Sequence, residues 1–464
     1  MTTQFNPMQA ASIGADVLLA SALPPAAIAE RQAARLARLL ARAARDSPLY
    51  RKLLRGSEPA GVALASLPVT NKRELMLRFA EWVCDPELRL DGLRAFVADP
   101  TRIGEPYLGK YTVWESSGTS GEPGIFVQDG HAMAVYDALE ALRRSAPRPW
   151  QQWLDPLRVG DRSAFVGATG GHFASQITLQ RLQKLGPWTT MKNFSIMETT
   201  ASLVAQLNEF APTILATYPT AAALLAEQAA AGALTIRPQE IWTGGEALTP
   251  SMRTRLQQVF GCAVRNSYGS SEFIASGWEC RCGRLHANAD WLILEPVDAD
   301  HRPVPPGERS HTVLLTNLAN HVQPLLRYDL GDQIVMDGKP CDCGSPLPTF
   351  EIDGRIDEPL EMDGRDGRPV TLLPMALGTV LEEEAAVFDF QLSQQDGHTL
   401  ALRLGGQRGS AARAAFARCR KALQDYGLHQ GTVPLRVVLQ AGEPLALGRS
   451  GKVQRVVPMA KPAD

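Results

Sequence analysis

The chain has 464 residues, 45% of them hydrophobic and 21% charged, with a formal net charge of -2. That length exceeds what one compact core organises, so a large domain with a smaller one beside it is the expected plan. The near-neutral charge lacks the basic excess of a nucleic-acid binder, and no stretch has the length of a membrane span or the pattern of a secretory leader; a cytoplasmic protein acting on small molecules, with neither nucleic acid nor membrane as partner, is expected.

Residues 26–55 repeat Ala, Leu and Arg at helical spacing and predict a helix, broken at Asp46, Ser47 and Pro48. Its arginines have no interleaved aromatics, so they read as the solvated face of a packing helix. Residues 114–124, WESSGTSGEPG, set hydroxyls and glycines between YTV and IFV. Glycines let backbone approach a ligand, and hydroxyls with free N–H groups around a tight loop form a cradle for phosphate oxygens. Ser116, Ser117, Gly118, Thr119, Ser120 and Gly121 are the candidate donors.

Between 160 and 276, short apolar runs ending in glycine or hydroxyl residues alternate with helical runs. This pattern predicts a parallel sheet with its ligand site at the carboxyl ends of the strands. Residues 291–335 turn β-rich and predict a β subdomain, and from about 356 a mixed segment is long enough for a separate mobile domain. The expected fold class is α/β. A large N-terminal domain (1–354), with mixed or parallel sheets flanked by helices plus the β subdomain, precedes a small α+β domain (355–464).

Of seven cysteines, Cys280, Cys282, Cys341 and Cys343 form two close pairs, with His286 nearby. In a reducing compartment such pairs favour a metal over disulfides, and a tetrahedral zinc takes four ligands. The expected set is Cys280, His286, Cys341 and Cys343, with Cys282 replacing His286 as the alternative. Such a structural zinc would staple the β subdomain.

Four further motifs follow the Ser/Gly loop: YGSSE at 268–272, LRYDLGD at 326–332, DGRIDE at 353–358 and LGRSGKVQRV at 447–456. In this order and at these spacings they resemble the adenylate-forming superfamily, and within it the phenylacetate-CoA ligase branch. SPLYRKLL at 47–54 and GGEALTP at 244–250 are also similar to that branch.

The resemblance implies that a carboxylic acid, aromatic by branch, attacks the α-phosphate of ATP to give an acyl-adenylate and pyrophosphate. Coenzyme A then displaces AMP; a carrier-protein thiol or an amine is the alternative acceptor, and a homodimer is left open. Tyr268 would lie against the adenine, with Gly244, Gly245 and Glu246 shaping its slot beside Gly269. Ser271 would reach the α-phosphate, and Glu272 would hold Mg²⁺, which suits hard oxygen ligands. Asp332 would accept from the ribose hydroxyls and Arg355 would contact the nucleotide, while Asp357 falls in the hinge. Lys452, a flexible point charge, would be delivered to the reacting centre when the C-terminal domain swings. The acyl pocket would draw on Tyr136, His172 and Tyr218, the last two as contacts for an aromatic acid with a polar substituent. One position departs from the family pattern: Glu122 stands where many relatives carry a lysine, so phosphate neutralisation would lean on Mg²⁺ at Glu272 and on Lys452.

Overall fold

The structure is a computed structural model that describes residues 6–55, 58, 61–116, 123–143, 161–184, 190–352, 358–405, 409–440 and 454–459. The helix expected over 26–55 is present in two pieces, Pro25–Asp46 and Pro48–Leu53. At the break Ser47 is extended and its side chain accepts a hydrogen bond from the Tyr50 N–H, with Pro48 at the first helical position, where no donor is needed. A further helix, Pro7–Ala20, was not anticipated; Asn6 caps it, and Ile13, Val17 and Ala20 form its buried face.

The hydroxyl-glycine loop is framed by a hairpin of β1 (Thr112–Glu115) and β2 (Ile125–Gln128), paired with Glu115 opposite Ile125. The hairpin sits in a core with Tyr50, Trp82, Trp114 and Tyr136, all fully buried. Each such ring removes about 150–250 Å² from water, roughly 4–6 kcal/mol at about 25 cal/mol per Å². The foot of the loop is therefore rigidly held.

A nine-stranded sheet follows. Its parallel half contains β3 (Arg162–Gly167), β4 (Thr190–Ser195), β5 (Ile214–Thr217), β6 (Glu240–Thr243) and β7 (Ala263–Ser270). β3 lies between β4 and β5, and β6 joins β5 to β7. This is the expected parallel sheet, with helices Pro219–Ala230 and Pro250–Phe260 among its connections. It continues beyond expectation as an antiparallel half. β7 pairs with β8 (Phe273–Glu279) and β8 with β9 (Leu285–Ala287). A separate three-stranded sheet holds β10 (Leu292–Val297), β11 (Thr312–Asn317) and β12 (Tyr328–Asp329). The chain then returns to the edge of the large sheet with β13 (Ile334–Met336) and β14 (Thr349–Ile352), the latter pairing with β9.

The C-terminal part begins with a hairpin of β15 (Leu360–Asp363) and β16 (Pro369–Leu372). A four-stranded sheet contains β17 (Phe390–Gln394), β18 (Thr399–Leu404), β19 (Arg436–Leu439) and β20 (Val456–Val457), with helix Gly409–Gln430 packed on it. This part docks on the first: Leu373, Leu377 and Val380 share a buried cluster with Ile196, Ala221 and Leu224. The Gln430 side-chain amide donates to the Met197 and Glu198 carbonyls at 2.8 and 3.1 Å.

Candidate active site

A cleft of about 1230 Å³ opens at the carboxyl ends of the parallel strands, between the two parts of the chain. Strand ends there expose loops and backbone groups, so sequence motifs that follow each strand converge on one place. Its lining includes Ser116 from the loop foot, Gly244 and Gly245 after β6, Gly269, Ser271 and Glu272 at the β7–β8 turn, and Asp332 after β12.

Each element is pinned by polar contacts. The Ser116 N–H donates to the Gly124 carbonyl at 2.8 Å, and the Gly124 N–H donates to Ser116 Oγ at 2.9 Å. The Ser116 oxygen thus closes the neck of the loop. The Trp114 indole N–H donates to the Ser271 carbonyl at 2.8 Å, locking the hairpin to the β7–β8 turn. That turn requires Gly269, whose Cα lies so close to the Ile274 carbonyl that a Cβ would sit 2.1 Å from its oxygen. Gly245 has φ +80° and packs against the Tyr218 ring, a conformation and an approach that suit glycine.

Glu272 is 9% exposed. Its carbonyl accepts from Asn317 Nδ2 at 2.9 Å, and the same amide nitrogen donates to the Tyr136 hydroxyl at 2.9 Å. Its carboxylate accepts from the Tyr328 hydroxyl, whose ionisation is pushed well above the ordinary tyrosine value by burial and then by that neighbouring charge. Asp332 accepts from the Tyr268 hydroxyl at 2.8 Å.

Three expected contacts differ. The Tyr268 ring packs edge-on against Phe350, 5.6 Å between centroids, and is not among the cleft-lining residues. The pairing register of β7 shifts between Tyr268 and Ser270, and the Tyr268 hydroxyl is spent on Asp332. His172 is 1% exposed with its ring 5.3 Å from Phe96, and it too is outside the lining; its neighbours Phe173 and Ala174 face the cleft instead. The His172 backbone still serves the site, its carbonyl accepting from the Glu115 N–H at 2.9 Å. Glu246 does not line the cleft either: its carboxylate accepts from the Thr220 N–H and hydroxyl at 3.0 and 2.8 Å, capping the helix that follows β5. Tyr136 and Tyr218 border the cleft together with Phe165, Met191, Ile214 and Trp242. The expected roles of Ser117, Gly118, Thr119, Ser120, Gly121, Arg355, Asp357 and Lys452 fall outside the described residues, as does Glu122.

A second constellation lies at the sheet edge, where the β8–β9 and β13–β14 connections meet. Ligand atoms of Cys280, His286, Cys341 and Cys343 all lie within 4.8 Å of one another. The sulfurs of Cys280 and Cys341 are 3.7 Å apart, far beyond a covalent bond, and Cys343 Sγ is 3.3 Å from His286 Nε2. His286 Nδ1 bonds the Leu347 carbonyl at 2.8 Å and its ring stacks on Trp278. Donation from Nδ1 leaves Nε2 free of its proton and aimed at the thiols, as metal-binding histidines require. Cys282 is exposed and outside this set.

Sequence reasoning missed the residues that hold Ser271 and Glu272 in place: Trp114, Asn317 and Tyr328. Asn317 is fully buried, and its side-chain oxygen also accepts from the Ala319 and Asn320 N–H groups. The polar run TNLANH inside a β-rich segment was the available signal.

A profile described as AMP-binding enzyme matches residues 171–311. Protein CapK from Staphylococcus aureus is 28% identical over 138 residues, 29% of this chain and 29% of that protein. The match therefore spans less than a third of that relative. Crystal structures of 2-hydroxyisobutyryl-CoA ligase share the fold. The complex with 2-HIB-AMP and CoA in the thioesterification state gives a TM-score of 0.60 at 21% identity over 94% of this chain and 90% of that one. An open conformation of the same ligase gives 0.54 at 21% identity over 92% and 90%. No helix among the described residues is long and apolar enough to cross a membrane. Residues 171–311 thus match the AMP-binding enzyme family, and the chain shares the fold of the 2-hydroxyisobutyryl-CoA ligase structures.

Proposed function

We propose that this chain is an acid-thiol ligase of the phenylacetate-CoA ligase type, which activates a carboxylic acid with ATP and transfers the acyl group to coenzyme A. The observation that carries this reading is the convergence of Ser116, Ser271, Glu272 and Asp332 on one cleft at the carboxyl ends of the parallel strands. Bringing a carboxylate to a triphosphate requires donors and cations around the phosphorus, and the residues present fit a divalent cation: Glu272 supplies a hard oxygen ligand beside the loop. Mg²⁺ bound there would neutralise phosphate charge. Ser271 would donate to the α-phosphate, Asp332 would accept from the ribose hydroxyls, and Tyr268 would hold that carboxylate in place. The shared fold with a ligase crystallised with an acyl-adenylate and CoA supports CoA as acceptor.

By its resemblance, Lys452 would enter the cleft during adenylation and leave before thiolysis, with Asp357 in the hinge and Arg355 on the nucleotide. The acid's tail would lie among Tyr136, Phe165, Tyr218 and Trp242, surroundings that suit an aromatic ring. The cluster of Cys280, His286, Cys341 and Cys343 fits a structural zinc, offering three thiolates and an imidazole with no position left for a catalytic water.

The test is pyrophosphate release across a panel of aryl, hydroxy and aliphatic acids, followed by mass analysis of products with CoA, carrier protein and amines offered in turn. An aryl-CoA product is expected. Release followed by transfer only to a carrier protein or amine would overturn the acceptor, and no release with any acid would overturn the reading.

A further inference from the structure

From the strand ends the cleft follows the sheet inward. Its lining includes Phe165 with Ala216 and Ser163 with Ile214, cross-strand partners on β3 and β5 that share one face of the sheet. From the end of β5 at Thr217 back to Ile214 is roughly 10 Å, at about 3.3 Å per residue. Two helices wall this slot. Helix Gly130–Arg143 contributes positions 136, 137, 140 and 141, and helix Ala174–Lys184 contributes 174, 175, 178 and 179. Two adjacent residues from each of two successive turns put one face of each helix on the slot.

Both charged residues on these two helical walls, Asp137 and Glu140, are acidic, and the cationic residues among the described lining of the cleft, Lys72, Arg73 and Arg455, come from other elements. Asp137 is held from the facing helix: Arg181 Nη2 donates to its Oδ1, with the arginine side chain 13% exposed and the aspartate 24%. Arg181 itself is not among the lining residues, so the group this pair presents to the slot is the carboxylate. Burial raises the Asp137 carboxyl above its ordinary value, and the Arg181 charge opposes that rise. Asp137 also lies close to the reacting end. It follows Tyr136, whose hydroxyl accepts at 2.9 Å from the Asn317 amide that donates to the Glu272 carbonyl.

Resting on the proposed function, we infer that Asp137 selects the acid, accepting a hydrogen bond from a hydroxyl or amino group on the substrate's tail. An ionised carboxylate only accepts, so a donor on the tail is the partner it can use, and a hydrogen bond to a charged group is stronger than one between neutral groups. A tail without a donor would cover the carboxylate and leave it unpaired on that side. A tail ending in a second carboxylate would meet like charge. Arg181 acts through Asp137 as a positioning residue.

The experiment measures kcat/KM for acid-dependent exchange of pyrophosphate into ATP by the full-length protein. The probes are phenylacetate and benzoate, each unsubstituted and with a hydroxyl, amino or carboxyl group at ring position 3 or 4. The unaltered protein should favour a hydroxyl- or amino-bearing acid over its unsubstituted parent by about tenfold or more, with the carboxyl-bearing acids poorest. Asp137→Ala should bring that preference to within about twofold of unity. The ratio is taken within one protein, so a general loss of folded enzyme does not move it. The double variant Asp137→Leu/Arg181→Leu leaves no buried charge alone and should lose the preference too, now favouring the unsubstituted acids. Equal values for substituted and unsubstituted acids in the unaltered protein, best activity with a carboxyl-bearing acid, or a preference that survives both variants would each overturn the inference. Exchange with none of these acids would instead strike the aryl-acid reading in the proposed function.

Discussion

Glu272 is gripped through both its backbone and its carboxylate, by Asn317 and Tyr328, so that its placement does not depend on a ligand. Preorganisation of this kind is what makes a charged group effective at a reacting phosphorus. Glu272→Gln keeps the shape and removes the charge, and should slow acyl-adenylate formation by about a hundredfold or more with little change in Tm; a rate within a few-fold of the parent would remove Glu272 from the metal site. At the sheet edge, Cys341→Ser should abolish zinc by elemental analysis and lower the apparent Tm by about 5 °C or more, whereas Cys282→Ser should do neither. At this scale the sequence was legible wherever spacing constrains chemistry. Two thiol pairs with a histidine between them allow few ligand sets, and Cys280, His286, Cys341 and Cys343 lie within reach of one another at the sheet edge. It was illegible where distant partners decide direction. The Tyr268 ring packs on Phe350 and its hydroxyl donates to Asp332, and nothing in YGSSE announces it.

Two elements meet where Trp114 donates to the Ser271 carbonyl, and this bond couples the loop hairpin to the β7–β8 turn. Trp114→Phe preserves most of the apolar burial but removes the hydrogen bond to a part-buried carbonyl, a loss of about 0.5–1.5 kcal/mol. Its expected signature is a several-fold rise in KM for ATP measured by pyrophosphate release; an unchanged KM would mean that the loop is set by the Ser116–Gly124 neck alone. The elements themselves were largely readable. Alternating apolar and helical runs identified the parallel strands because each strand and its crossover helix are local in sequence. The antiparallel half was not anticipated, because its closing pair, β9 with β14, joins residues 285–287 to 349–352. Such pairing depends on distant partners and leaves no periodic trace. The helix Pro7–Ala20 was not anticipated because its apolar residues do not form one clean stripe: Ile13, Val17 and Ala20 are buried while Leu18 and Leu19 are exposed.

Across the whole molecule, Glu115 on β1 lies near Glu382 and Glu383 from the C-terminal part. Burial first, then the charges of those two glutamates, push its carboxyl from an ordinary 4.5 to about 7. A raised carboxyl holds its proton more tightly in the folded, docked state. Its contribution to stability is therefore fully present below about 4.5 and is lost as the pH rises through about 7. Glu115→Gln should flatten the fall in Tm across that window and raise Tm at pH 8; an unchanged pH profile would show that these carboxylates do not meet across the docked interface. Length and the change in pattern near 356 led to the expectation of two domains, but the buried cluster that combines single residues such as Ile196 and Ala221 with Leu377 and Val380 left no signal in the sequence. Lys452 carries the corresponding prediction for movement: Lys452→Ala should depress adenylation by about a hundredfold while thiolysis of preformed acyl-adenylate stays within a few-fold. Equal losses in both half-reactions would contradict a swinging lysine. The most direct test of the central claim is exchange of labelled pyrophosphate into ATP, measured without CoA. Exchange that depends on an added carboxylic acid and is lost in Glu272→Gln is the predicted result; no acid-dependent exchange with a folded, ATP-binding protein would contradict acyl-adenylate formation in this cleft.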